Sequence, residues 1–192
     1  MLSRLLAVLS FVTIIGVTIP YMVDIVKGRA RPARAARVMF FVLMIITLFQ
    51  QRNLGTGYAL AITLGELVCS VLLLYLALKY GVGGFSRSDK ICYALLVVDI
   101  AVWLVSKNTL IALHLSILAD TISFWPTLKK TWHHPETETA LFFWGGTIAP
   151  IFSLLAQGTF AYQVIVFPLY LTIVNGIELY LIKRPQHSVL HS

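Results

Sequence analysis

Residues 20–57 read PYMVDIVKGRARPARAARVMFFVLMIITLFQQRNLGTG, and residues 126–159 read PTLKKTWHHPETETALFFWGGTIAPIFSLLAQGT. The two segments carry one pattern twice. Pro32 and Pro135 lie 103 residues apart, Phe40 and Phe143 share that offset, and Gly55-Thr56 falls on Gly158-Thr159. Pro20 and Pro126 match at an offset of 106, so the loop between the two prolines is three residues shorter in the second copy. Each copy runs from an apolar helix with a proline near its end through a basic loop, a second proline and an aromatic helix. A Gly-Thr turn and a further apolar helix follow. A duplicated three-helix unit in lipid, with the substrate path between the copies, is a common plan of small transporters.

Outward from these segments the chain stays apolar. Hydrophobic residues make up 58% and charged residues 12%, and mean hydropathy is +0.85. An ordinary soluble domain carries about 25% charged residues. The apolar residues fall into seven blocks, near 4–26, 36–52, 56–80, 90–106, 109–128, 139–157 and 160–182. Each approaches the roughly 20 residues that cross about 30 Å of hydrocarbon. The expected fold is therefore all-α and integral to the membrane, with seven spans and no room for a soluble domain. The first block follows Arg4 as a signal peptide would, but no small-residue cleavage site succeeds it, so it reads as a retained span.

The net charge of +7 is placed unevenly. With seven spans, loops 27–37, 81–90 and 129–138 and the C-terminal tail share one face. That face carries Lys27, Arg29, Arg31, Arg34, Arg37, Lys79, Arg87, Lys90, Lys129, Lys130, Lys183 and Arg184; the other has only Arg4, Arg52 and Lys107. Lys and Arg in short loops stay cytoplasmic, which predicts an outer N-terminus and a cytoplasmic C-terminus. Basic juxtamembrane loops also attract anionic lipid, a better account of the charge than nucleic-acid binding. Cys69 and Cys92 lie inside apolar blocks without CxxC spacing and read as small hydrophobes.

Pro20 and Pro126 are candidate hinges, because proline inside a helix removes a backbone hydrogen bond and clashes with the preceding turn. Simple termination of the first helix near Pro20 is the plainer reading of that proline alone. Paired breaks at equivalent places in two repeats point to a transport path. Pro135-Glu136-Thr137-Glu138 suits a helix N-terminus, whereas the first copy has Arg34 and Arg37 there; a salt bridge between the halves would follow. The block at 90–106 has no repeat partner and reads as a linker helix, preceded by a turn containing Gly81, Gly83 and Gly84. Residues 185–192 read as a disordered tail.

Ionisable side chains inside spans are costly and mark sites by default. The candidates are Glu66, Asp99, Asp120 and Glu178, each on a different block. Asp120 leads, since Ser123 and Thr127 follow at i+3 and i+7 and share its face. The competing role is an interhelical tie, with Asn175 as partner. Asn175 lies deeper than Glu178, which is placed to pair with Lys183. Glu66 sits ten residues into the third block, so it is either protonated or faces a wet cavity, and it is the second candidate for proton coupling beside Asp120. Asp99 fits a packing role. Trp144 suits stacking on a substrate ring or anchoring at the interface. His114 reads as an interface group, and His133-His134 as solvated. There is no HExxH, GxSxG or P-loop and no acidic cluster for divalent metals. Four carboxylates on four helices favour binding over catalysis, with no catalytic residue, metal or cofactor expected.

The pattern resembles the PQ-loop and SWEET superfamily of seven-helix membrane proteins. The likeness is carried by the two repeats, by Pro20-Tyr21 and Pro126-Thr127 at the ends of the first helix of each, and by the stretch from Asp120 to Trp144. Both copies keep the proline of the family's Pro-Gln dipeptide and lose its glutamine. The resemblance implies two parallel three-helix bundles, 1–80 and 108–184, joined by a linker over 81–107. It also implies alternating-access transport of a small polar solute. Amino-acid exporters of the family place a proton-carrying aspartate where Asp120 stands. Its sugar facilitators use asparagines and tryptophans, for which Asn175 and Trp144 would serve in the second half. The first half offers Glu66 and no tryptophan on its second helix, which counts against sugar. The expected site is thus Asp120, Ser123, Asn175 and Trp144, with Glu66 proton-linked. A non-transporting receptor or assembly protein acting through the basic face is the alternative. A homo-oligomer stays open.

Overall fold

The computed structural model describes residues 1–83, 87–106 and 108–184. Residues 84–86, Lys107, the side chains of residues 87–89, 92, 106 and 126, and residues 185–192 lie outside that description, Gly84, Cys92 and Pro126 among them. The described chain is all-helical: α1 (Leu2–Val26), α2 (Arg34–Asn53), α3 (Leu60–Tyr80), α4 (Arg87–Ser106), α5 (Thr109–His133), α6 (Ala140–Ala156) and α7 (Tyr162–Lys183). Short 3-10 turns, Gly57–Ala59 and Pro135–Thr137, lead into α3 and α6. Five segments are long and apolar enough to cross a membrane: α1, α2, Gly57–Tyr80, α5 and α7. The apolar stretch of α4, Tyr93–Val105, and the whole of α6 are shorter. At 1.5 Å per residue, the 17 residues of α6 reach about 26 Å.

Burial is arranged for an apolar solvent. Leu5, Val12, Ile19, Val68, Tyr75, Val97, Leu155 and Ile173 point outward, while Ser10, Thr47, Gln50, Gln51, Thr63, Glu66, Asp99, Asp120 and Glu178 are buried. In water this distribution would expose apolar area far beyond what a soluble monomer shows. In lipid it is the expected one, since polar groups there must find partners inside the protein. The chain is a multi-pass membrane protein by this criterion.

Helix packing follows one scheme. α3 lies against both α1 and α2, and α7 lies against both α5 and α6. Between these groups α1 packs on α6 and α2 packs on α5, with α4 against α5 and α2. The α1–α6 contact is the most extensive. Small residues permit it: a Cβ on Gly145 would collide with the side chain of Val17, and Ser10 Oγ donates to the Ala149 carbonyl at 2.6 Å. Close approach through glycine, with a hydroxyl bridging the backbones, is how helices associate where no hydrophobic drive separates lipid from leucine.

The basic-loop ends are well tied. Gly28, at φ 72°, turns the chain after α1, and the Arg29 and Ala30 amides both donate to the Asp24 carbonyl. The Arg34 amide donates to the Val82 carbonyl and the Val82 amide to the Pro32 carbonyl, each at 3.0 Å, which joins the α1–α2 loop to the end of α3. Two expectations need correction. α1 does not end near Pro20: the proline is internal and the helix continues to Val26, because apolar neighbours hold the last turn. Likewise α5 runs past residue 128 to His133.

The seam predicts opposite signs for two glycines. Gly145→Ala should destabilise the protein by about 1–3 kcal/mol, the usual range for overpacking, because a β-branched valine cannot swing away. Gly16→Ala, where nothing lies within 4 Å of the new methyl, should be neutral or slightly stabilising, as expected for alanine over glycine in a helix. Thermal unfolding of both variants in one detergent checks this.

Candidate functional site

A cavity of about 270 Å³ lies among α1, α2, α3, α5, α6 and α7. Its wall alternates charge with aromatic and aliphatic surface. From the first three helices come Tyr21, Ala36, Arg37, Phe40 and Glu66, with Arg31, Pro32 and Val82 from the connecting segments. From the last three come Asp120, Ser123, Phe124, Thr127, Lys130, Phe142, Phe143, Leu171, Val174 and Asn175, with Glu138 just before α6. On α1, α2 and α6 the lining residues fall in the half nearer the basic loops, while Glu66, Asp120 and Leu171 lie at or beyond the middle of α3, α5 and α7. The opposite half is a packed core that includes Ile14, Val17, Met44, Ile62, Leu113, Ala149 and Phe167. The cavity therefore reaches the exposed Arg31 and Val82 at one end and stops at that core at the other.

Arg37 is held by aromatic faces. Its Nη2 donates to Tyr21 Oη at 3.1 Å. The guanidinium stands 5.3 Å from the Tyr21 ring centroid and 5.7 Å from that of Phe142. Those rings stack on each other at 4.5 Å, so residues of α1, α2 and α6 form one unit. Ring faces attract a guanidinium through their quadrupole, most strongly when water is displaced. Among the described residues Arg37 has no carboxylate within ion-pair distance; the pairs present are Arg29–Asp24, Lys130–Glu138 and His134–Glu136.

Of the residues expected at a site, Asp120, Ser123, Asn175 and Glu66 all line this cavity, as does Thr127. Asp120 accepts a hydrogen bond from Tyr170 Oη at 2.7 Å. Its tie is thus to Tyr170 on α7 and not to Asn175, whose Nδ2 donates to the Leu171 carbonyl at 2.9 Å. Asn175 packs on Gly146, where no Cβ would fit. Ser123 Oγ donates to the Asp120 carbonyl at 2.8 Å. Glu66, 5% exposed, faces the cavity without a hydrogen bond from the described residues.

Trp144 lies elsewhere. It is 45% exposed and absent from the cavity wall, because Phe143 takes the inward direction and the next residue of a helix turns about 100° away. Its position suits the lipid-facing surface. The salt bridge between halves is also corrected: Glu138 pairs with Lys130 of its own half, and Glu136 with His134. Near the basic loops a hydrogen bond does cross between the halves: Thr139 Oγ1 donates to Asp24 Oδ2 at 2.7 Å.

The remaining buried carboxylates are structural by position. Ser116 Oγ lies 2.6 Å from Asp99 Oδ2 and 3.0 Å from Gln50 Oε1, which ties α4, α5 and α2. Glu178 is fully buried and accepts a hydrogen bond from Thr131, not an ion pair from Lys183. His114 on α5 meets Tyr162 of α7 by ring stacking and a hydrogen bond. Reasoning from the residues passed over Arg37, Lys130, Tyr21 and Tyr170. One signal was available: Phe40 and Phe143 match in the repeat, and both line the cavity.

Thr131→Val should leave Glu178 without its donor and cost about 1–3 kcal/mol, the range for orphaning a buried acceptor, whereas Thr131→Ser should retain most of the stability. Thermal unfolding separates the two. No family model matches this chain, and neither a curated protein nor a solved structure matches it.

Proposed function

We propose that the chain is a transporter of a small polar solute, a sugar, an amino acid or similar, working by alternating access between the bundles α1–α3 and α5–α7. The observation that carries this reading is the cavity itself. It draws charged and amide side chains from both bundles into the interior of an otherwise apolar, lipid-facing molecule. Charges are kept inside a bilayer where a function requires them.

The packing scheme supports a duplicated unit: exchanging α1, α2, α3 with α5, α6, α7 turns α1–α3 into α5–α7, α2–α3 into α6–α7, and α1–α6 into α5–α2. The sequence match of Pro32, Phe40 and Gly55-Thr56 with Pro135, Phe143 and Gly158-Thr159 points the same way, as does the resemblance to the PQ-loop and SWEET superfamily. In this reading α4 is the linker that lets two units of odd span number lie parallel. The basic loops are cytoplasmic and the cavity is caught facing the cytoplasm. Glu66 and Asp120, which face the cavity without a counter-ion among the described residues, are the groups on which proton linkage would rest.

The test begins with solute-dependent thermal stabilisation of purified protein, screening sugars, amino acids, nucleosides and organic acids at pH 5.5 and 7.5. Ligand bound only by the folded state raises the melting temperature with occupancy. A stabilising solute should also enter proteoliposomes. Asp120→Asn should slow that entry at least tenfold while leaving the melting temperature without solute nearly unchanged. Neutralising Arg29 and Arg34 together, neither of which lines the cavity, should leave entry intact. If the arginine variant loses function in cells and Asp120→Asn does not, the protein acts as a receptor through its basic face.

A further inference from the structure

The charges in the cavity specify more than polarity. Arg37, Glu66 and Asp120 all line it, with no ion pair drawn between Arg37 and either carboxylate among the described residues. Opposite charges sharing a small buried space ordinarily collapse together, because each is costly alone. Here Arg37 is restrained from doing so by the Tyr21 hydroxyl and by the faces of Tyr21 and Phe142. Asp120 is restrained in turn by Tyr170. A guanidinium carries five N–H donors in a planar fork that matches a carboxylate. Among the described residues, only the hydrogen bond to Tyr21 uses any of them.

We propose that the cavity takes a zwitterion of the α-amino-acid type, its carboxylate on Arg37 and its ammonium between Glu66 and Asp120. The inference rests on the transport reading above and names its substrate class. With Lys130 and Glu138 paired to each other and Arg31 at the exposed mouth, a purely anionic solute would meet Glu66 and Asp120 inside, and a purely cationic one Arg37; each arrangement places like charges together in a poorly hydrated space. A sugar is best held by amides and an open aromatic face, but the Tyr21 and Phe142 faces are taken up by Arg37 and by each other. Beside Ser123, Thr127, Asn175 and the paired Lys130 and Glu138, the wall has an apolar part from Phe40, Phe124, Phe143, Leu171 and Val174. That part suits an uncharged, hydrophobic side chain on the solute. Holding the two charged poles apart before binding is preorganisation, which lowers the ordering cost of the complex.

The experiment titrates full-length purified protein with three probes that differ only in their poles, L-phenylalanine, its amide (cation only) and N-acetyl-L-phenylalanine (anion only), and with glucose as a neutral control. L-leucine serves as a second zwitterion. Binding is read by thermal shift and calorimetry. At least one zwitterion should bind at least tenfold more tightly than the amide or the N-acetyl form. Arg37→Gln should abolish the preference over the amide, and Glu66→Gln or Asp120→Asn should abolish the preference over the N-acetyl form. Equal binding of zwitterion and amide by the wild type would overturn the role of Arg37 without recourse to variants, so a variant that fails to fold does not block the test. Stabilisation by glucose and by neither zwitterion would overturn the zwitterion assignment and leave transport standing. Absence of any stabilising solute in the wider screen, from folded protein, would remove the transport reading itself.

Discussion

The seam between α1 and α6 holds this molecule together. Gly145 lets α6 lie directly on Val17, and the Ser10 hydroxyl reaches across to the Ala149 backbone. No hydrophobic drive separates helices from lipid tails, so such contacts must come from close packing and hydrogen bonds. Everything in the cavity depends on it. The seam fixes Phe142 against Tyr21, that pair positions Arg37, and Arg37 then faces the carboxylates on α3 and α5. A shift of α6 by one residue would send Phe142 toward lipid and free the guanidinium to fall onto Glu66 or Asp120.

The helices were legible in the sequence because the bilayer imposes a length and an apolarity that few other environments demand. All seven apolar blocks correspond to helices, within a few residues at most ends. The errors at Pro20 and at residue 128 share a cause. Proline and a run of lysines signal helix ends in general, but neighbouring helices can hold the backbone in register past them, as they do to Val26 and His133.

The site was legible only where chemistry made a residue conspicuous. Asp120, Glu66 and Asn175 stand out as polar groups in apolar surroundings, and they meet in one cavity. Trp144 was misplaced because residue type says nothing of rotation about a helix axis, and α6 is apolar on every side. Arg37 was hidden by its company: among the basic residues of the first loop it reads as one more topology signal. Only its tertiary contacts with Tyr21 and Phe142 set it apart from Arg29, which pairs with Asp24 at the surface. Glu138 was hidden likewise, as a helix-capping acid, although its side chain is only 3% exposed beside Lys130.

The short bridge between Pro32, Arg34 and Val82 binds the loop after α1 to the end of α3. The backbone at Gly81 is pressed so closely against Ala77 and Pro32 that no side chain fits there. The basic ends of the first three helices are therefore welded into one plate, and a force applied at any of the three is felt by all. The turn at Pro135–Thr137 packs against both α5 and α7. Near this turn the Thr139 hydroxyl reaches Asp24, beside the stack of Tyr21 on Phe142. A single hydrogen bond at the edge of water is a weak tie, because each partner can exchange it for one to water.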